Sequence, residues 1–327
     1  MRKPTHAATF AVAAILLGAT VTACSNSSSS APLAVRGRSV AASDTAAAEF
    51  PATVHAANGD IRIAARPTSI MSLSPTATEM LYAIGAGAQV KAVDEYSDYP
   101  PQAPRTNLGE VDPSVEAIVS YHPDLVVMGP GDSKTLNHAL AGFAIPVLYE
   151  PAAANLDSAY SQFEQLGEAT GHRSQAVAEV TRIKSRIASI VRHVHKPAGP
   201  ATYYYELEQT YYSVTSSTFI GKLLGLFGLK DIADAAKGAA SSGGYPQLSA
   251  EFIIRANPQY IFLADTICCG QSAVTVSARP GWSTLRAVRN GDVVALNDDI
   301  ASRWGPRIVN LLQTVADALD SKHTAAS

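Results

Sequence analysis

The feature that most constrains this chain of 327 residues is a long amphipathic segment near its middle, between Gly171 and His195. Apolar residues recur there at spacings of three and four and basic residues take the other faces, which is typical of one surface helix. The apolar stripe consists of Val177, Val180, Ile183, Ile187, Ile190, Val191 and Val194. Gly171 before the segment and Pro197 with Gly199 after it limit a helix of roughly 24 residues and about 36 Å. Shorter α/β patterns flank it, so we expect two α/β lobes joined by one rigid helix.

The N-terminal residues predict export and lipid attachment. A positively charged start is followed by an apolar run over 10–21 that is too short for a stable membrane anchor, so residues 1–23 fit a signal peptide. The sequence Val-Thr-Ala-Cys at 21–24 resembles the lipobox of bacterial lipoproteins, in which the cysteine, here Cys24, is diacylated. Two acyl chains give stable attachment, so we expect a lipid-anchored protein on the extracytoplasmic face of the cell membrane. The alternative is a plain secretory signal followed by an incidental cysteine.

Composition argues against a disordered chain and against a nucleic acid partner. Apolar residues make up 47 % and charged residues 16 % of the sequence, as in a folded globule. Without residues 1–23 the chain carries 23 basic and 28 acidic residues, a net charge of −5. Since no basic stripe is present to attract a polyanion, we expect no nucleic acid to bind.

The remaining chain divides into four segments. Residues 24–61 are rich in Ala, Ser and Thr with little periodicity, which predicts a flexible tether. We expect an N-terminal lobe over 62–170, the spine helix over 171–196 and a C-terminal lobe over 197–327. In the N-terminal lobe, strand patterns alternate with helical patterns, which predicts a mostly parallel sheet. The predicted strands are 69–73, 89–93, 125–128 and 147–149, and the predicted helices are 76–83, 114–121, 133–140 and 155–170.

Ligands of parallel α/β sheets bind beyond the carboxyl ends of the strands. In the N-terminal lobe the loops at that edge are expected at 74–76, 94–99 and 129–131. The candidate ligand-binding residues in these loops are Ser74, Pro75, Glu95 and Tyr96.

An internal repeat relates the two lobes. Residues 114–128 and 249–263 align without gaps at a constant offset of 135, with Ser, Glu, Ile and Pro at matching positions. In each copy the serine can cap a helix, and a glutamate, Glu116 or Glu251, lies where a negative charge suits the helix dipole. That local role is one interpretation. The other is that the two carboxylates are a matched pair that docks onto a two-fold symmetric partner with arginine sockets.

The repeat, the spine pattern and two further motifs resemble the class III substrate-binding proteins of ABC importers, over about residues 62–320. The motifs are Arg66-Pro67 followed by the run at 70–81, and the run at 93–100. Proteins of that family bind iron siderophores, haem or cobalamin. The resemblance implies that Glu116 and Glu251 form salt bridges with a permease dimer, and that the lobes move little because one stiff helix joins them.

Tyrosines are concentrated at the start of the C-terminal lobe. Five of the thirteen lie between positions 203 and 212, where 202–207 is predicted as a strand. Strand alternation places neighbouring tyrosines on opposite faces, so any one of them is either a packing residue or part of a binding surface. Tyr205, Tyr211 and Tyr212, nearest the strand end, are the candidate cleft residues. An aromatic wall suits a large conjugated or catecholate ligand, and a phenolate can bind ferric haem.

Two later loops complete the predicted cleft. Cys268 and Cys269 follow a predicted strand at 260–263 and form either a vicinal disulfide, which the exported location permits, or two free thiols. The turn at 302–307 supplies the last three candidates, Arg303, Trp304 and Arg307. These are either core and solvated surface residues or a stacking surface with paired donors for carboxylates, and we favour the second interpretation.

These patterns favour a carrier over an enzyme. The sequence contains no G-x-S-x-G, H-E-x-x-H, Walker or C-x-x-C motif. A divalent-metal binder of the same architecture would need several histidines, but only His122, His138 and His172 belong to the first lobe, on predicted helix ends or faces. We therefore expect a monomeric receptor, without a resident cofactor, that delivers a ferric siderophore or haem to an ABC permease. Cobalamin is the alternative ligand.

Overall fold

Each half of the chain builds a four-stranded parallel sheet flanked by helices, as the alternation of strand and helix patterns predicts. The computed structural model describes residues 50–109, 113–130, 133–197 and 199–325. All of them belong to one compact unit. None of the helices within these ranges is both long enough and apolar enough to cross a lipid bilayer.

A β-hairpin precedes the first lobe. Its strands β1 (Ala52–Ala56) and β2 (Gly59–Ile63) pair antiparallel. The Asn58 side chain in the turn donates to one backbone carbonyl and accepts from one backbone amide of the last strand of the first-lobe sheet, at 2.9 and 3.2 Å. The hairpin therefore covers an edge that would otherwise expose unpaired backbone groups.

The hairpin corrects one prediction. The flexible tether expected over 24–61 is wrong for residues 52–61, which form these two strands. The apolar residues Ala52 and Val54 alternate with exposed ones, but Ala, Ser and Thr on both sides obscure that short alternation in the sequence. The Asn58-Gly59 pair is a recognised hairpin signal that the prediction overlooked. Residues 24–49, with Cys24, lie outside the described residues.

The first lobe contains four parallel strands in the order β4-β3-β5-β6. Its elements are β3 (Ile70–Leu73), α1 (Pro75–Ala83), β4 (Val90–Val93), α2 (Val115–Ser120), β5 (Leu125–Met128), α3 (Ser133–Ala141), β6 (Val147–Tyr149) and α4 (Leu156–Thr170). The two central strands β3 and β5 are buried along their whole length, which explains their continuous apolar sequences.

The spine is the helix α5 (Arg173–His193), whose 21 residues span about 30 Å. It begins two residues later than predicted because Gly171, at φ +76°, is the left-handed cap that ends α4. Its buried stripe consists of Ala176, Val180, Ile183, Ile187 and Ile190. Val177, which the pattern assigns to the same stripe, is exposed instead.

The second lobe repeats the architecture of the first, with the strand order β10-β9-β7-β8. Its elements are β7 (Ala201–Glu206), α6 (Phe219–Gly225), β8 (Leu229–Asp231), α7 (Ala250–Ala256), β9 (Tyr260–Leu263), α8 (Thr266–Cys269), α9 (Ala273–Ser277), α10 (Arg286–Arg289), β10 (Val293–Ala295), α11 (Asp298–Ala301) and α12 (Ile308–Ala325). Helices α2 and α7, and strands β5 and β9, begin at the offset of 135 found in the sequence. The predicted repeat is therefore a structural repeat.

The two lobes share a core. One buried apolar cluster includes Val127 of β5, Ile183 of the spine, Phe262 of β9 and Leu312 of α12. Separating the lobes would expose apolar surface to water, at a free-energy cost of roughly 25 cal/mol for each Å² exposed. The shared core therefore opposes a wide hinge opening.

Candidate functional site

At the carboxyl edge of the first sheet, Ser74 and Pro75 serve to start a helix. Ser74 Oγ accepts a hydrogen bond from the amide of Ala77 at 3.3 Å, and Pro75 is the first residue of α1. Both roles are the ones expected of these residue types at a helix N-terminus. Both side chains are buried. Neither residue therefore offers exposed surface in this structure, and the predicted ligand contact of Ser74 and Pro75 stays a prediction.

The loop after β4 does present its candidates to solvent. Asp94 is buried and accepts hydrogen bonds from the hydroxyl of Ser97 at 2.6 Å and from the amides of Tyr96 and Ser97 at 2.8 and 3.0 Å. Ser97 is in turn hydrogen-bonded to Thr78 of α1 at 3.0 Å. This network fixes the loop, so that Tyr96 is 57 % exposed and Glu95 is exposed beside it.

The three candidate tyrosines of the second lobe have different environments. Tyr205 is fully buried, its hydroxyl donates to the carbonyl of Ala301 at 3.4 Å, and burial raises its pKa. Tyr205 packs in the core of this structure and burial disfavours its phenolate, so its predicted contact with a ligand stays a prediction. Tyr211 is half-buried and stacks on Trp282 with ring centroids 5.6 Å apart. Only Tyr212, at 40 % exposure, is well exposed.

The adjacent cysteines are joined. Cys268 and Cys269 form a disulfide, and both residues are exposed, so the structure contains the first of the two predicted alternatives. They lie in α8, whose amides at Thr266, Ile267 and Cys268 donate to the carboxylate of Asp298 at 2.8, 2.9 and 2.7 Å. An uncharged sulfur pair is therefore fixed beyond the carboxyl end of β9.

The turn after α11 crosses to the first lobe. Arg303 Nη1 donates to Glu79 Oε1 and to Asp98 Oδ1, each at 3.0 Å, and Arg307 Nε donates to Glu79 Oε2 at 2.9 Å. Glu79 is buried and accepts from both arginines. The arginines do act as paired donors for carboxylates, and in this structure those carboxylates belong to the chain itself. Direct contact of either arginine with a ligand stays a prediction.

Trp304 is also tied to the first lobe. Its Nε1 donates to Gln162 Oε1 of α4 at 2.6 Å, and the residue is half-buried. The stacking expected of this turn is made by Arg307, whose guanidinium carbon lies 4.1 Å from the centre of the Tyr99 ring. The turn is thus an interlobe contact, and its place at the border of the cleft stays a prediction.

Sequence reasoning missed a buried charged group at the end of β7. Glu206 is fully buried, and Arg279 donates to both of its oxygens at 2.6 Å. The Arg279 guanidinium carbon lies 4.6 Å from the Trp282 ring centre, and Asp265 at the end of β9 is buried next to this pair. The sequence does offer one signal for this ion pair, which is a glutamate at the last position of a buried strand of tyrosines. A buried carboxylate requires a partner, so a buried cation could be expected nearby.

A cavity of about 480 Å³ lies on the spine side of the interlobe ion pairs. Its lining includes Tyr99, the Glu79 to Arg307 pair and the Glu179 to Arg182 pair of α5. Because the acidic and basic groups of each pair neutralise one another, these pairs do not indicate an ion-binding site. In the part of the chain that the structure describes, no three His, Cys, Asp or Glu side chains form a metal-binding group.

The two repeated glutamates occupy equivalent surface positions. Glu116 and Glu251 are exposed, each at the second residue of its helix. Ser114 and Ser249 accept hydrogen bonds from the third helical amides at 3.3 and 3.2 Å. Hydrogen bonds from the backbone amide of each glutamate, and then from the capping serine, lower the pKa of both carboxyls. Both are therefore charged at neutral pH.

Comparisons with known proteins agree with this architecture. A sequence profile of the periplasmic binding protein family matches residues 70–300. The chain is 30 % identical over 272 residues to a vitamin B12-binding protein of Pectobacterium atrosepticum, which covers 80 % of this chain and 91 % of that protein. It is 28 % identical over 279 residues to an uncharacterized ABC transporter substrate-binding lipoprotein of Bacillus subtilis, with coverages of 83 % and 86 %. The crystal structure of the periplasmic vitamin B12-binding protein of Vibrio cholerae matches 77 % of this chain and 96 % of its own, with a TM-score of 0.63 and 27 % identity.

Proposed function

Because the chain belongs to the periplasmic binding protein family, we propose that it captures a corrinoid of the cobalamin class outside the cell and delivers it to an ABC permease. Proteins of this family are the substrate-binding proteins of ABC importers. The single observation that carries the ligand is the similarity, over most of both chains, to proteins that bind vitamin B12. This observation moves cobalamin ahead of the iron chelates that the sequence patterns favoured.

The exposed groups at the carboxyl edges fit such a ligand. Tyr96 and Tyr212 present aromatic rings, and Ile267 with the Cys268–Cys269 disulfide presents uncharged surface. A flat macrocycle gains free energy by covering such apolar area. Cobalt in a corrinoid is held by the ring itself, so recognition requires no metal-binding cluster from the protein.

A ferric siderophore or haem is the second candidate. It is favoured by the exposed phenols of Tyr96, Tyr212 and Tyr245, which are 57 %, 40 % and 45 % exposed, because a phenolate is a good ligand for ferric iron. The two candidates differ in what the phenols do, since they stack on a corrinoid but bind the metal of an iron chelate.

Attachment to the membrane and to the permease belongs to the same proposal. The lipobox-like sequence supports diacylation at Cys24, which would hold the receptor at the extracytoplasmic face of the cell membrane. The matched, charged Glu116 and Glu251 support docking onto arginines of a permease dimer.

The ligand is tested by titrating the purified chain with cyanocobalamin, haem and ferric siderophores while tryptophan fluorescence and calorimetric heat are followed. We expect cyanocobalamin to bind at the lowest concentration. Tighter binding of haem or a siderophore would favour the second candidate, and no binding of any probe would contradict both. Tyr96→Ala should weaken binding, whereas the matched control Tyr121→Ala, at an exposed tyrosine beyond the C-terminus of α2, should leave it unchanged.

A further inference from the structure

One buried carboxyl group in the second lobe lacks a hydrogen-bond donor. Asp265 follows β9, is 0 % exposed, and neither of its oxygens has a partner among the described residues. Its backbone is fixed on both sides, because the amide of Ala264 donates to Glu206 O at 2.9 Å and the amide of Gln271 donates to Asp265 O at 3.2 Å. The side chain therefore cannot reach water unless the loop moves.

The charged groups that face Asp265 come from two other elements. On β7 they are Glu206 and the phenol of Tyr204, and after α9 the group is Arg279. Arg279 donates to both oxygens of Glu206 at 2.6 Å and to Gln271 Oε1 at 2.7 Å. Its positive charge is thus matched by Glu206, and an ionised Asp265 would be a second, unmatched negative charge.

An ionised carboxylate in this position is costly. A buried charge without a donor or counter-ion loses its hydration and gains little in return. A protonated Asp265 instead has one O–H to donate, and the Glu206 carboxylate has lone pairs that remain free to accept it. Burial, and then the charge of Glu206, raise the pKa of Asp265 to about 7, which agrees with this geometry.

We propose that Asp265 is a positioning residue of the binding cleft, whose protonated carboxyl donates to Glu206 and holds the disulfide-bearing loop 266–271, so that ligand affinity falls when that proton is lost. The inference rests on the proposed function, because it concerns the same cleft. It adds a regulation of that site by pH.

The loop transmits the change directly. Thr266 to Cys269 follow Asp265 without a spacer, and Gln271 Nε2 lies 3.5 Å from both Cys269 O and Gln209 Oε1. On its other side the loop is fixed by Asp298, which accepts three of its amides. Loss of the proton places two negative charges side by side, and their repulsion pushes the loop that carries Cys268 and Cys269.

The test is the pH profile of cyanocobalamin and haem binding to the intact chain between pH 6 and pH 9. In the wild type we expect the affinity to fall by up to about tenfold per pH unit above pH 7. Asp265→Asn keeps a donor toward Glu206 and cannot ionise, so its affinity should show a flat profile from pH 6 to pH 9. Asp231→Asn is the matched control, because burial also raises the pKa of Asp231 to about 7 but that residue lies on β8. It should retain the wild-type profile.

A wild-type slope in Asp265→Asn, or a flat profile in the wild type, would overturn the proposal. A second readout needs no ligand. Since the pKa of Asp265 lies above its ordinary 3.8, the folded state is stabilised by the proton at low pH, and this stabilisation is lost as pH rises to about 7. The melting temperature of Asp265→Asn should therefore exceed that of the wild type by a margin that grows from pH 5 to about pH 7 and levels off above it. A margin that stays constant with pH would contradict the protonation of Asp265 and so overturn the proposal. A growing margin without binding of cyanocobalamin would contradict only the proposed ligand class.

Discussion

The two lobes are copies of one unit, yet their carboxyl edges are built from different chemistry. In the first lobe the edge is held by a network of hydroxyls around Asp94, in which Ser97 and Thr78 are hydrogen-bonded in series. In the second lobe the edge is held by an ion pair, Glu206 with Arg279, at the end of the central strand. The first network is neutral apart from one carboxylate, and the second concentrates buried charge.

The outer surfaces of the same two lobes remain alike. Glu116 and Glu251 lie on equivalent helices, with equivalent serine caps and with pKa values shifted in the same direction for the same reason. A two-fold symmetric partner requires equal features on both lobes, whereas a ligand without that symmetry requires two different walls. The comparison thus separates the surface suited to a permease dimer from the surface suited to a small molecule.

The largest effect is expected on import, from reversing the charge of the matched glutamates on the outer surfaces. Reversing both charges, with Glu116→Arg and Glu251→Arg together, should abolish import of cyanocobalamin by cells that depend on this receptor, because like charges across an interface are strongly repulsive. Ligand affinity should not change, and the two single variants should impair import equally. Glu164→Arg, an exposed acid on α4, is the matched control. Retained import in the double variant, or lost ligand affinity, would show that these carboxylates have only a structural role.

The next effect concerns the ion pair of the second lobe. Glu206→Ala leaves the Arg279 guanidinium buried without its counter-ion, so we expect the free energy of unfolding to fall by about 3–5 kcal/mol in urea titrations. Removing both partners should recover part of the loss, since the double variant no longer buries an unpaired charge. A cost below about 1 kcal/mol for the single variant would mean that the pair is solvated, contrary to its burial.

The hydroxyl network of the first lobe should respond less. Asp94→Ala removes the acceptor of one hydroxyl and two backbone amides, and we expect a loss of about 1–3 kcal/mol. The loop that carries Tyr96 should also become more mobile, which hydrogen exchange of its amides would measure. If Asp94→Ala costs as much as Glu206→Ala, the two edges are energetically alike and the contrast between the lobes is one of residue type alone.

The sequence predicts the regular parts of this molecule well because periodicity reports burial directly. The spine, the parallel sheets and the repeat at 114–128 and 249–263 all follow from apolar spacing, and the structure contains each of them. The sequence does not predict the hairpin over 52–63, because its two strands have only five residues each and Ala, Ser and Thr on both sides obscure their alternation.

The site is predicted less well because the residue types in it do not reveal which other residue each side chain contacts. Tyr205 shares a strand with other tyrosines, and only the packing shows that its ring is in the core. Arg303 and Arg307 have the donors that a ligand carboxylate needs, but Glu79, more than 200 residues earlier in the chain, accepts from both. Contacts between residues so far apart in sequence leave no local pattern, and they decide which charges remain free.

The smallest effect tests the equality of the two docking helices at their caps. Each of Ser114→Ala and Ser249→Ala removes the acceptor for the third helical amide, so each should lower the free energy of unfolding by about 1 kcal/mol. Because the helices are copies, the two losses should agree within about 0.5 kcal/mol, which is the precision of additivity at separate sites. The variants Ser114→Gly and Ser249→Gly are matched controls, since glycine at a cap costs only a few tenths of a kcal/mol.

Each Ala variant also removes the serine hydroxyl that helps to lower the pKa of its glutamate, so the carboxyl pKa should rise by the same small amount in both lobes. Unequal losses would mean that one of the helices is held by tertiary contacts rather than by its cap, and that the symmetry of the outer surface is only approximate.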